Sequence, residues 1–160
     1  MRSLDPVPSS FFDDAPFQVV TTAQLRASPD HVFAVLAEPE TWPQWFPMMT
    51  HAAWTSNGTP GVGAEREVAL RAFGGFRERF IAWDPGVRYA FTMTGTTSPL
   101  IDAMAEDYRL TSDGGGTRLV WTIAAQPSRI GRVLAPGLRL VLGRIGAAAC
   151  RRLDRFTTSN

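Results

Sequence analysis

Hydrophobic and polar positions change period several times along the chain, and each change marks an element. From Phe17 to Arg26 the β-branched run Val19, Val20, Thr21, Thr22 predicts a strand that stops at Ser28-Pro29-Asp30. That triplet opens a helix: Ser28 can cap free amides, Pro29 suits the first helical position, and Asp30 favours the positive end. Val32, Phe33 and Leu36 give the helix an apolar face, and Glu38-Pro39 ends it. The stretch from Pro39 to Pro47 is too broken by proline for a long helix, and predicts a short turn carrying Trp42 and Trp45.

Between Ala52 and Ala125 no helical period persists. Five or six strands are predicted there, separated by Asn57-Gly58, Gly74-Gly75, Asp84-Pro85-Gly86 and Asp113 to Gly116, as in an antiparallel meander. Beyond Gln126-Pro127-Ser128 the period lengthens. Leu134, Leu138, Val141, Ile145, Ala149, Leu153 and Phe156 recur at spacings of three and four, which predicts a long amphipathic helix. Pro136-Gly137 should bend that helix or mark its true start, leaving about twenty residues and about 30 Å uninterrupted.

The expected fold class is α+β. A curved antiparallel sheet of about six or seven strands, with two short helices after its first strand, wraps around the C-terminal helix. Residues 1–16 hold three prolines and the acidic Asp5, Asp13 and Asp14 without an apolar run, so they read as a loose arm, with Phe11 and Phe12 as docking candidates. Residues 17–160 then form the domain.

Pairing rules predict which side chains face inward. Closing the Asp84–Val87 turn tightly places Ala82 opposite Tyr89, Phe80 opposite Phe91 and Glu78 opposite Met93, an aromatic inner face. Trp83, Ile81, Arg79 and Arg77 fall on the other face, which suits water better. A two-residue turn at Gly74-Gly75 then sets Arg71 across from Glu78, where an inward carboxylate needs a partner. A one-residue slip there sends Arg71 outward. Tyr108 and Glu106 are candidates to join Leu119, Trp121 and Ile123 in the last hairpin.

Composition narrows the function. The net charge is +1, and all sixteen basic residues are arginines scattered from Arg2 to Arg155, so no dense block tracks a phosphate backbone and nucleic acid is not an expected partner. With no lysine, Schiff-base and P-loop lysine chemistry are excluded. Cys150, alone and among alanines, reads as helix packing. His31 and His51 lie too far apart in the pattern to promise a metal site, and the glycine-rich segments sit between strands rather than at a strand-to-helix phosphate loop, so neither metal nor cofactor is expected. Arg139 and Arg144 argue against a membrane span, and the first sixteen residues do not resemble a secretory signal, which leaves the cytoplasm as the expected location.

Ser28-Pro29 at the first helix, Trp42 with Trp45-Phe46-Pro47, Gly61-Val62-Gly63, Trp83-Asp84-Pro85 and Gly116-Thr117-Arg118-Leu119 follow in an order that resembles the START-like helix-grip (SRPBCC) superfamily, in its polyketide cyclase/dehydrase and lipid-transport branch. The likeness covers residues 17–156. It implies a deep cavity between sheet and helix for apolar or polycyclic ligands, in proteins of which some act on polyketides and others only carry lipids or ligands.

Three functions stay open at this point. The first is binding of a hydrophobic small molecule by Trp42, Trp45, Phe80, Tyr89, Phe91, Met93, Trp121, Leu138 and Val141. The second is a cofactor-independent aromatase, cyclase or dehydratase in which Glu78 or Glu106 moves a proton while Arg71 or Tyr108 steadies an enolate. The third is a protein- or membrane-surface module using Arg132, Arg139, Arg151, Arg152 and Arg155. Oligomeric state is not set by the sequence, with a homodimer left open.

Overall fold

The computed structural model describes residues 1–159, and within them a seven-strand path curls around one long helix. In chain order the elements are β1 (Arg2–Ser3), α1 (Phe11–Asp14), β2 (Phe17–Leu25), α2 (Pro29–Ala37), a 3-10 turn (Pro39–Thr41), α3 (Trp42–Trp45), β3 (Met49–Trp54), β4 (Glu65–Leu70), β5 (Gly74–Asp84), β6 (Arg88–Thr96), β7 (Ile101–Asp113), β8 (Gly116–Pro127) and α4 (Arg129–Ser159). The strands are antiparallel in the order β2-β8-β7-β6-β5-β4-β3. This is the helix-grip architecture expected from the sequence.

The local signals act as predicted in the first third. Ser28 accepts a hydrogen bond from the His31 amide and caps α2, whose Val32, Phe33, Val35 and Leu36 are buried. Trp42 donates its indole N–H to the Leu36 carbonyl at 2.9 Å, which ties α3 back onto α2. Ser128 caps α4 by accepting from the Gly131 amide, and its hydroxyl donates to the Pro99 carbonyl at 2.7 Å. The helix therefore starts at Arg129 and runs through Pro136, so its 31 residues span about 46 Å. Pro136 and Gly137 are exposed, on the side where a missing backbone bond is met by water.

Two registers differ from expectation. In the β5–β6 hairpin the predicted pairs Phe80–Phe91, Arg79–Thr92 and Glu78–Met93 are present, but β-bulges flank them on both sides. The bulge between Phe80 and Ala82 pairs Trp83 with Tyr89 and turns Trp83 inward, where it packs against Phe33, Phe80 and Tyr89. Ile81 and Ala82 go to the outer face.

The second difference is larger. Gly74-Gly75 is not the β4–β5 turn but the start of β5; the turn is Arg71-Ala72-Phe73, with Ala72 at φ 69° and Gly74 at φ 91°. A Cβ on Gly74 would lie 2.4 Å from Thr97 Oγ1, and that hydroxyl accepts the Gly75 amide at 2.8 Å. The glycines thus let the strand pass close to the 97–100 loop. Arg71 lies exposed in the turn and does not meet Glu78; Arg66 does.

The outer face is also drier than predicted. Ala82, Ala90, Ala105 and Ala124 present a smooth patch on which Phe12 is buried, with Val7, Phe11, Ala15 and Ile81 around it. The first sixteen residues, expected as a loose arm, are hydrogen-bonded to the sheet: β1 pairs with Gly95 and Thr96 of β6, beyond the point where β7 has left that strand, and the Val7 amide donates to Thr92 Oγ1.

Candidate functional site

Charge alternation builds the site's polar end. Glu65-Arg66-Glu67 on β4 runs antiparallel to Arg77-Glu78-Arg79 on β5, so each rung joins opposite charges. The outer rungs are solvent-facing ion pairs, Glu65–Arg79 at 2.7 Å and Glu67–Arg77 at 3.0 Å. The middle rung points inward: Arg66 is 0% exposed and Glu78 2%. Nε and Nη2 of Arg66 both lie 2.6 Å from Glu78 Oε2, a charge-assisted length, and Nη1 donates to the Tyr89 hydroxyl at 3.0 Å. The guanidinium sits 4.4 Å from the Trp42 ring centroid and 5.2 Å from that of Phe91.

Burial works against the charge on Arg66, but Glu78, then Tyr89, outweighs it and holds the guanidinium charged. Burial also pushes the Glu78 carboxyl above the ordinary carboxylate value, with Arg66 pulling against that rise. Glu78 therefore depends on Arg66 for its charge.

Rows of cross-strand neighbours carry the inner face onward. Phe80, Phe91, Glu106, Ile123 and Val19 follow one another across β5, β6, β7, β8 and β2, and Trp83, Tyr89, Tyr108 and Trp121 form the next row. Glu106 Oε2 accepts from the Tyr108 hydroxyl and from the Trp121 indole N–H, each at 2.9 Å. The two donor rings stack at 5.1 Å. Burial, followed by the nearby Glu78 charge, pushes the Glu106 carboxyl up to about 7, although both donors and Arg66 pull it down. Burial and the neighbouring Glu106 raise the Tyr108 hydroxyl well above its ordinary value, so it stays a donor.

Beside these two carboxyls lies a cavity of about 110 Å³ between sheet and α4. Leu138, Leu142 and Ile145 close it from the helix side, Phe17, Ile123 and Ala125 from β2 and β8, and Phe73 and Leu100 from two loops. Apart from Glu78, Glu106 and Ser98, its wall is apolar or aromatic. Four of the chain's five methionines, Met48, Met49, Met93 and Met104, line it. Unbranched and polarizable, these side chains are the most adaptable part of the wall.

Of the side chains read from sequence, Trp42, Glu78, Phe91, Met93, Glu106, Trp121 and Leu138 line this cavity. Trp45, Phe80, Tyr89 and Tyr108 are buried behind the wall, where they pack against the lining rings or, for Tyr89 and Tyr108, hold its charged groups. Val141 is 44% exposed on the far side of α4, because Leu138, Leu142 and Ile145 set the buried stripe. Arg71 is outside the site, and Arg66, unrecognised in the sequence, takes its place. The signal for Arg66 was present in the complementary Glu-Arg-Glu and Arg-Glu-Arg triplets. Among the described residues no group of His, Cys, Asp and Glu side chains is placed to hold a metal ion.

A curved sheet gripping a long helix over an apolar cavity with buried carboxyls defines a helix-grip protein of the SRPBCC class. Residues 16–156 match the family model described as polyketide cyclase / dehydrase and lipid transport, and the chain belongs to that family. An uncharacterized protein of Mycobacterium tuberculosis is 37% identical over 161 residues, covering 98% of this chain and 94% of that protein, and one of Mycobacterium bovis matches equally. The solved Zhui aromatase/cyclase from Streptomyces sp. R1128 shares the fold with a TM-score of 0.75 at 18% identity, over 88% of this chain and 93% of that one. A START superfamily protein from Mycobacterium smegmatis superposes with a TM-score of 0.74 at 13% identity, over 89% and 97%.

Two outcomes follow from the buried charges. Arg66→Met alone should lower unfolding stability by about 3–5 kcal/mol, because it strands Glu78, whereas Arg66→Met combined with Glu78→Leu should recover most of that loss. Urea denaturation of the four proteins measures the coupling; additive losses would contradict it. Glu106 binds its proton more tightly folded than unfolded, so its contribution to stability is complete below pH 4.5 and is lost as pH rises through about 7. Glu106→Gln should flatten the fall in stability between those values, as read by thermal unfolding across pH.

Proposed function

We propose that the protein binds a hydrophobic, partly aromatic small molecule in the cavity under α4. The observation that carries this reading is the wall itself. It is built from aromatic, aliphatic and methionine side chains, and two carboxyls, Glu78 and Glu106, lie near one another on it, the usual composition of a small-molecule site. Trp42, Phe91 and Trp121 offer ring faces, and Glu106, protonated up to about pH 7, offers a directional O–H to a carbonyl or hydroxyl oxygen. The fold shared with an aromatase/cyclase and with a START superfamily protein is compatible with such a ligand.

The 110 Å³ of open space is less than a drug-sized ligand fills, so larger occupants require the methionines and α4 to give way. Native mass spectrometry of protein purified from cell extract should show an added mass, and a neutral naphthylamine fluorophore should quench tryptophan emission on binding. Ile145→Trp, which fills the cavity from the helix side, should weaken the fluorophore by about tenfold or more. Unchanged affinity in that variant, with no copurifying mass, would remove the proposal.

The second reading is proton-transfer catalysis, and one observation favours it. A carboxyl on the cavity wall with a pKa near 7 can serve as base and as acid at neutral pH. Glu106 would take a proton from a carbon beside a substrate carbonyl, while the departing hydroxyl leaves as water with that same proton. With a β-hydroxy ketone thioester as substrate, Glu106→Gln should abolish dehydration while leaving fluorophore affinity within about threefold. Absence of turnover in the unmodified protein would leave ligand binding as the function.

A further inference from the structure

The N-terminal half of α4 shows an apolar stripe to solvent. Ile130 is 56% exposed, Val133 80%, Leu134 48%, Leu140 57% and Val141 44%, and the helical repeat places them on one side while Leu138, Leu142 and Ile145 face the cavity. Exposed aliphatic groups scattered singly need no explanation, but five along little more than three turns of one helix form a patch. Arg129 and Arg144 are exposed beside it, Arg132 and Arg139 are exposed further round the helix, where Arg139 lies over the Phe17 ring, and Arg139, Arg144 and Leu140 edge a shallow groove that also includes Pro136 and Gly143.

The charge is strongly polarised. Residues 129–153 contain six of the sixteen arginines and no acidic residue, while the remainder of the chain carries ten arginines against fifteen acids. A nearly neutral protein thus concentrates its positive potential on the helix that bears the exposed apolar stripe. Two copies pairing through this face would bring their arginines together with no carboxylate between them. The exposed groups are aliphatic and convex, without the Trp or Tyr anchors typical of a protein partner's hot spot. An anionic bilayer requires no shape match, accepts aliphatic side chains at its acyl boundary, and pairs arginine with lipid phosphate.

We infer that α4, along Arg129–Arg144, is a docking surface for an anionic lipid bilayer, on which the helix lies in the interface plane. By length and composition α4 would also suit a membrane span. Its inward side is committed elsewhere, to the cavity through Leu138, Leu142 and Ile145 and to the core through Ala149, Cys150 and Leu153. Only the outer stripe is free to meet lipid. Gly131 and Leu138 line the cavity from this same stretch, so a docked protein would hold the site within one helix diameter of the acyl chains.

Flotation of the full chain with unilamellar vesicles tests the inference. Binding to vesicles of phosphatidylcholine with phosphatidylglycerol should exceed binding to pure phosphatidylcholine by about tenfold, and should fall steeply at about 0.5 M salt. Val133→Asp and Leu140→Asp replace exposed groups, so circular dichroism should be unchanged while anionic-vesicle binding falls about tenfold each. Failure to float, equal binding to both vesicle types, or unchanged binding in Val133→Asp would overturn it. A concentration-dependent dimer in sedimentation velocity, abolished by Val133→Asp, would assign the face to a second copy instead. Neither readout depends on whether the cavity holds a ligand.

Discussion

The Arg66–Glu78 ion pair is the constraint on which the interior depends. Two charges removed from water cost several kcal/mol each unless they are held against one another, and here the Arg66 Nε–H donates to a carboxylate oxygen of Glu78 at 2.6 Å, with Nη2 within ion-pair distance of the same oxygen. Satisfying that pair requires β4 and β5 to meet in one register only, because a slip by one residue would turn either charge to the wrong face. That register in turn decides that the turn is Arg71-Ala72-Phe73 and that Val68 and Phe76 face inward as neighbours. Once β5 is placed, the aromatic rows across β6, β7 and β8 follow by cross-strand pairing. The wall of the cavity is therefore positioned by a polar contact at its end, although most of its area is apolar.

Much of this was readable from residue order. The capped start of α2, the paired tryptophans after it, the meander and the long terminal helix each have a strong local cause, so tertiary context had little to override. Glu78, Glu106, Phe91, Met93 and Trp121 could be placed facing the helix because alternation on a half-buried strand is a reliable rule. What failed was the choice between two local signals of unequal visibility. Gly74-Gly75 looks like a hairpin turn, yet its glycines serve a close approach to Thr97, which lies more than twenty residues away in sequence. The turn that forms contains Arg, Ala and Phe, and carries no turn signal of its own.

Bulges set the other limit. Hydrophobic period alone cannot say where a strand will gain a residue, so Trp83 was assigned to the outer face although the bulge beside Ile81 turns it into the aromatic core. In the helix, spacings of three and four are both helical, and Val141 and Leu142 compete for the inward stripe. Leu142 takes it, lining the cavity with Leu138 and Ile145 while Val141 is 44% exposed. Ala90 looked suited to water and Ala82 was expected inward, whereas both join Ala105 and Ala124 in seating Phe12, a contact with a segment that has no periodicity to read.

The two carboxyls of the cavity show why environment, rather than residue type, separates their roles. Glu78 has a full positive charge against it and is kept as part of the scaffold, so its removal should be felt as lost stability. Glu106 has only neutral donors, Tyr108 and Trp121, on one oxygen, and burial plus the charge of Glu78 leaves it half-titrated near neutral pH. A group so poised changes from donor to acceptor with a small change in surroundings. An apolar occupant that displaces water raises the cost of its charge further, and one that brings a cation or a strong donor lowers it. Ligand binding and proton uptake at Glu106 are thus thermodynamically linked, whichever of binding or catalysis the cavity serves.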